Sequence, residues 1–198
     1  MAAVPRWLPN AISALRIVLV PVWVSCAEAA NRAGEHEHAV DGARGIAVAV
    51  LVAIGVSDVI DGWVARRFAL QTHLGATLDA VADKLAQVVV FTYLALREGP
   101  AFAEVPPWFF GTLIGRDVVL LLGCALVRWR RGRVQVVHRA HGKLTSLLLF
   151  ALAIVCTAGF GDRLTQPAFW TAAAVIATST VLYVRDGVRQ FLAAPAAA

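Results

Sequence analysis

The sequence predicts an all-α fold: a polytopic integral membrane protein with six transmembrane helices and both termini on the cytoplasmic side. Three observations carry this expectation. The 198 residues are 59% hydrophobic, with a mean hydropathy of +0.70, whereas soluble domains are about 45–50% apolar. The apolar residues fall into six long runs parted by short polar clusters. Lys and Arg concentrate in alternate connections. Within a bilayer only helices and closed barrels satisfy the backbone, and these runs are too long and too uniformly apolar for alternating barrel strands.

The expected spans are about 10–28, 44–66, 75–96, 106–128, 143–160 and 168–190. Each has roughly 17–23 residues, enough to cross ~30 Å of hydrocarbon at 1.5 Å per residue. Pro9-Asn10 offers the start of the first, and the polar stretch Gly34 to Gly42 separates it from the second. GPAFAEVPP breaks spans three and four, and GFGDRLTQP breaks five and six, because Gly and Pro punctuate helices. The opening segment has features of a cleaved signal: Arg6, an apolar stretch, then SCAEAA. Arg16 interrupts its apolar core, and its removal would leave an odd number of spans, so a retained first helix is expected. With no internal repeat and no long linker, residues 1–198 read as a single membrane domain.

The net charge is +5 and the pI near 9.7. No nucleic-acid reader pattern accompanies it, so no nucleic-acid partner is expected. With the N-terminus inside, the inner segments carry Arg6, Arg66, Arg67, Arg128, Arg130, Arg131, Arg133, Arg139, Lys143, Arg185 and Arg189. The outer loops carry Arg32, Arg44, Arg97 and Arg163. Eleven against four sets the orientation. Arg16, Lys84 and Arg116 stay within spans. Cys26, Cys124 and Cys156 are widely spaced in apolar runs and read as packing residues.

Against this background, SDVIDGWVARRFALQTHLGATLDAVADK (Ser57 to Lys84) gathers Asp58, Asp61, Asp79 and Asp83. Asp58 and Asp61 share one face of span two, near its cytoplasmic end. Asp79 and Asp83 share one face of span three, near its start. A connection of about Phe68 to Leu74 makes the two helices antiparallel neighbours, so the two pairs converge in a cavity open to the cytoplasm. An Asp at mid-membrane costs about 2.5–3.5 kcal/mol on insertion scales, and less near the interface. A divalent cation offsets the repulsion, and hard oxygen donors suit Mg²⁺ or Mn²⁺ better than zinc. Four carboxylates suffice for two ions, which act on phosphates in such settings. Gly62, Ala65 and Gly75 form a wall with almost no side chain, and Arg66 is placed to reach phosphates. For the two glycines alone, close helix packing explains as much.

Asp58, Asp61, Gly62, Ala65 and Arg66, then Gly75, Asp79 and Asp83, are eight identities across 26 positions. This pattern resembles the complete signature of the CDP-alcohol phosphatidyltransferases. The resemblance implies transfer of a phosphatidyl group from a CDP-alcohol, here CDP-diacylglycerol, to an acceptor hydroxyl with release of CMP. It implies Asp58, Asp61 and Asp79 as principal metal ligands. Asp83 is implied as general base, also touching a second ion. Gly62, Ala65, Arg66 and Gly75 are implied as the cytidine diphosphate site. It further suggests a homodimer and a bacterial cytoplasmic membrane, with the active site facing the cytoplasm.

Other stretches bear on the acceptor. PNAISALRIVLVP (Pro9 to Pro21) is similar to the opening of the glycerophosphate and cardiolipin branches, as is LGATLDAVADK, with Ala80 in place of a usual proline. GRDVVLLLG (Gly115 to Gly123) is more similar to cardiolipin synthases, and HGKLTS (His141 to Ser146) to both. The expected acceptor is glycerol 3-phosphate or phosphatidylglycerol. The alternative within the same chemistry is an inositol phosphate or serine. The alternative of another class is a cation transporter using intramembrane aspartates. A phosphate-bearing acceptor calls for cations, and Arg116, Lys143, Arg139 and Arg185 are the candidates. Arg116 has a second reading as half of a structural ion pair with a neighbouring helix, or with the aspartates themselves. The others have second readings as orientation charges or contacts to anionic membrane lipids. EHEH (Glu35 to His38) is expected in a solvated outer loop.

Overall fold

The computed structural model describes residues 8–36, 40–68, 73–131 and 140–192; the side chains of Asp61, Ala65, Arg66, His141, Lys143 and several others lie outside that description. Six helices follow in order: α1 (Leu8–Glu35), α2 (Val40–Arg67), α3 (His73–Leu96), α4 (Pro107–Arg131), α5 (Ala140–Thr157) and α6 (Asp162–Leu192). Among the described residues there is no strand. Among the described residues, four stretches are long and apolar enough to cross a membrane: Ala11–Glu35, Val40–Val64, Pro107–Arg130 and Asp162–Leu192. The 24 residues of α3 extend about 36 Å, but Asp79, Asp83 and Lys84 break its apolar run. α5 contributes a shorter apolar stretch, Leu144–Thr157.

Two helix boundaries depart from expectation. α1 continues past residue 28 to Glu35, because polar side chains beyond the apolar run find partners there. Pro167 does not stop a helix: the break is confined to Ala158 to Gly161, where Gly159 takes φ 69°, and α6 resumes at Asp162 with Pro167 inside it. A proline removes one rung of the ladder, a small loss over 31 residues.

The chain forms two compact units. The first comprises residues through Val105 together with Ala153–Thr165, and the second Pro106–Leu152 and residues from Gln166 onward. In the first, α1 packs against both α2 and α3. Its inward face is the stripe Arg16, Val20, Trp23, Ala27 and Ala30, each at most 2% exposed, a spacing of four and three that keeps residues on one side of a helix. Ala47, Leu51 and Ile54 on α2 and Ala82, Ala86 and Val90 on α3 are likewise buried. The alanines let backbones approach closely.

The end of this unit near Glu28, Asn31 and Glu35 holds a polar network. Buried Asn31 donates to the Tyr93 hydroxyl at 3.0 Å and accepts from the Ala101 amide at 3.2 Å. Tyr93 donates to Glu28 at 3.1 Å, and Arg97 bonds Glu28 at 3.2 Å and Glu35 at 3.2 Å. The Glu28 carboxylate pushes the pKa of Arg97 up from its ordinary value. Glu35 is therefore the last residue of a helix, not part of a solvated loop, and His36 lies in the following turn. Glu37 and His38 lie outside the described residues. Arg44, expected in an outer loop, lies in the first turns of α2 and ties the unit together: its Nε donates to the Ala101 carbonyl at 2.6 Å.

In the second unit, Trp108 of α4 stacks on Trp170 of α6 at 4.4 Å, and Phe109 meets Phe169 at 5.0 Å. Gly142 of α5 lies where any Cβ would strike the Tyr183 hydroxyl of α6. Leu121, Leu122 and Trp129 are exposed, as residues facing lipid would be.

Candidate active site

Asp58 lies about two and a half turns before the end of α2, and Asp79 and Asp83 lie on the first turns of α3. One carboxylate oxygen from each converges with the other two, all within 4.8 Å. The spacing-based expectation of a shared carboxylate site thus holds for these three. The backbone of Asp61 is in α2, one turn beyond Asp58, and its side chain lies outside the described residues.

The sequence reading missed what stands among them. Arg16 of α1 bonds Asp58 Oδ1 at 3.2 Å through Nη2, and Asp79 Oδ1 at 3.0 Å through Nη1. Nη1 also bonds Asp83 Oδ1. Its Nε reaches Ser57 Oγ at 3.5 Å, and that hydroxyl donates to the Ile54 carbonyl at 2.7 Å. The signal was present: Arg16 stands four residues before Val20 and seven before Trp23, on the inward stripe. A cation at that register faces whatever α2 and α3 place at the same depth.

The guanidinium is 1% exposed, while Asp58, Asp79 and Asp83 are 45%, 38% and 51% exposed. The carboxylates are therefore held by a buried cation while remaining partly exposed themselves. Among the described contacts, three carboxylates meet one guanidinium and form a set of hard oxygen donors. That donor set fits Mg²⁺ or Mn²⁺.

Gly62 lies in α2 and Gly75 in the first turn of α3, both half-buried. Ala65 and Arg66 are in the last turns of α2, with side chains outside the described residues. Arg116 of α4 is 12% exposed, and its nearest described carboxylate is the adjacent Asp117, at 3.9 Å. Among the described residues no ion pair joins Arg116 to another helix, and its Nε makes no hydrogen bond. Arg185 is an exposed residue of α6, Lys143 belongs to α5 with its side chain undescribed, and Arg139 lies outside the described residues.

The sequence profile of the CDP-alcohol phosphatidyltransferases matches residues 6–184. The chain belongs to this family. A Mycobacterium tuberculosis (strain H37Rv) protein provisionally named cardiolipin synthase is 37% identical over 125 residues, covering 63% of this chain and 52% of that protein. The human "Cardiolipin synthase (CMP-forming)" is 31% identical over 129 residues, covering 64% of this chain and 36% of the human protein. A Mycobacterium tuberculosis (strain CDC 1551 / Oshkosh) protein named "Probable phosphatidylglycerophosphate synthase" is 29% identical over 182 residues, covering 91% of this chain and 78% of that protein. The chain spans about half the length, 52%, of the first of these relatives. No solved structure matches the chain. Family membership and the long apolar helices together make this a membrane protein.

Proposed function

We propose that the protein is a metal-dependent phosphatidyltransferase of phospholipid synthesis, taking CDP-diacylglycerol as donor and glycerol 3-phosphate or phosphatidylglycerol as acceptor. The observation that carries this reading is the convergence of Asp58, Asp79 and Asp83 of α2 and α3, within a chain of this family. The acceptor assignment draws on relatives named for both products.

In the reaction, the acceptor oxygen forms a bond to the phosphorus that bears the diacylglycerol. The bond from that phosphorus to the CMP oxygen breaks, and CMP leaves with the electron pair. The acceptor hydroxyl proton passes to Asp83, the most exposed of the three described carboxylates. Asp58, Asp61 and Asp79 hold Mg²⁺ or Mn²⁺, as one ion or two, and Asp83 contributes to the second. Bound metal supplies charge neutralisation on the diphosphate oxygens. Gly62 and Gly75 offer backbone without side chains where the cytidine diphosphate lies, beside Ala65, and Arg66 contacts its phosphates. Arg116 serves the acceptor phosphate, supported by a mostly buried guanidinium whose Nε has no described partner. Lys143, Arg139 and Arg185 are the further cations for that phosphate. In this reading all six helices cross the bilayer, both termini are cytoplasmic, and the site opens to the cytoplasm.

The test is CMP release by the purified chain in detergent, given CDP-diacylglycerol, Mg²⁺ or Mn²⁺ and one acceptor at a time. Glycerol 3-phosphate, phosphatidylglycerol, inositol phosphate and serine form the panel, with the lipid product identified by mass. Product with either of the first two is expected. Metal-stimulated ion flux without CMP release would instead support a transporter.

A further inference from the structure

We infer that Arg16 is a built-in counter-charge that weakens divalent-metal binding at the aspartate cluster, so that the ion remains exchangeable. This rests on the metal reading above. The guanidinium is buried and contacts Asp58, Asp79 and Asp83, whose side chains are 45%, 38% and 51% exposed. Arg16 and a divalent ion therefore draw on the same three carboxylates. Each relieves the mutual repulsion of the carboxylates, so each reduces what the other gains. The two cations also repel one another, in surroundings less screened than bulk water. Binding linkage makes this antagonism reciprocal: a charge that lowers metal affinity is itself made less necessary by the metal.

Arg16 has the construction such a role needs. It has 1% exposure, its Nε is steadied by Ser57, and it rises from the same rigid stripe as Val20 and Trp23. The guanidinium remains charged at every physiological pH, so the brake on affinity is constant. A cluster of this acidity without it would hold trace divalent ions tightly. With it, the cluster is suited to an abundant, fast-exchanging ion such as Mg²⁺. Arg16 is thus a positioning residue acting through the carboxylates.

The experiment is Mn²⁺ titration of the full chain in detergent, followed by electron paramagnetic resonance, with unfolding midpoints measured in EDTA and in Mn²⁺. Arg16→Gln should bind Mn²⁺ about tenfold more tightly than wild type, since a charge a few ångströms from the ion is lost. It should unfold earlier than wild type in EDTA and gain more from Mn²⁺. A merely structural arginine predicts the same loss of midpoint in both conditions and no gain in affinity; that result overturns the inference. Should Arg16→Gln fail to fold, Arg16→Lys decides, because it keeps the charge and loses the fork. Its Mn²⁺ affinity should stay within about threefold of wild type, and a larger loss would make the fork rather than the charge the operative feature. Absence of Mn²⁺ uptake by wild type, with CDP-diacylglycerol present, would overturn the metal reading itself. Uptake by wild type with unchanged or weaker uptake by Arg16→Gln would overturn this inference alone.

Discussion

Arg16 Nη1 lies 3.0 Å from Asp79 Oδ1, joining α1 to α3 across 63 residues of chain. The same nitrogen bonds Asp83, one helical turn farther along α3. A pair of carboxylates four residues apart is thereby pinned to a third helix, and substitutions at the two positions should separate their roles. Asp79→Asn keeps the shape and loses a ligand charge, so Mn²⁺ binding and CMP release should fall together. Asp83→Asn should lower CMP release by roughly 10²–10⁴-fold, the range for loss of a positioned base, while keeping part of the Mn²⁺ binding. Electron paramagnetic resonance and CMP assays on the same preparations check both. Full activity in either variant would strip that residue of its role.

The network around Asn31 should govern stability rather than chemistry. Asn31 is 1% exposed and satisfies both the Tyr93 hydroxyl and the Ala101 amide. Asn31→Ala should lower stability by about 1–3 kcal/mol, since a buried amide N–H loses its acceptor. A Cβ at Gly99 would stand 2.5 Å from the Asn31 side chain, so Gly99→Ala should destabilise by a similar ~1–3 kcal/mol through overpacking. Thermal unfolding in detergent measures both. Unchanged midpoints would mean the network is not closed in the folded protein.

How much of this was legible in the sequence differs between the two ends of α1. The spacing of Asp58, Asp79 and Asp83 follows from helical geometry alone, and the six helices follow from apolar run length. Arg16 was legible in principle but was weighed as an interruption of an apolar run. Set beside Val20 and Trp23, its register marks the inward face. The network around Asn31 was not legible, because Asn31, Tyr93 and Arg97 are joined across 62 or more residues and no local period records such pairings. The helix ends moved for the same reason. Apolar runs mark where hydrocarbon begins, whereas hydrogen bonds such as those of Glu35 decide where a helix stops.

Metal removal gives an independent check on the carboxylate cluster. Chelation by EDTA should abolish CMP release, and Mg²⁺ or Mn²⁺ should restore it. Zn²⁺ should restore little, because the described cluster offers three carboxylates and neither His nor Cys. Activity that survives exhaustive chelation would assign the transferred phosphate to cationic side chains instead, with Arg16 and Arg116 the first to test.

The proposed topology predicts which connections face the cytoplasm. The carboxylate ends of α2 and α3 should meet water inside the cell, and the Asn31 end of α1 should meet it outside. Phe68 follows α2 and is exposed, and Gly161 precedes α6 in an exposed turn with open space where a Cβ would stand. Either position accepts a cysteine without displacing a packed neighbour. In a background lacking Cys26, Cys124 and Cys156, a membrane-impermeant maleimide added to intact cells should label Gly161→Cys and spare Phe68→Cys. After the inner face is opened, both should react. The reverse pattern would put the aspartates on the outer face, away from a cytoplasmic supply of nucleotide-activated lipid, and the charge bias of eleven against four would then have failed to orient the chain.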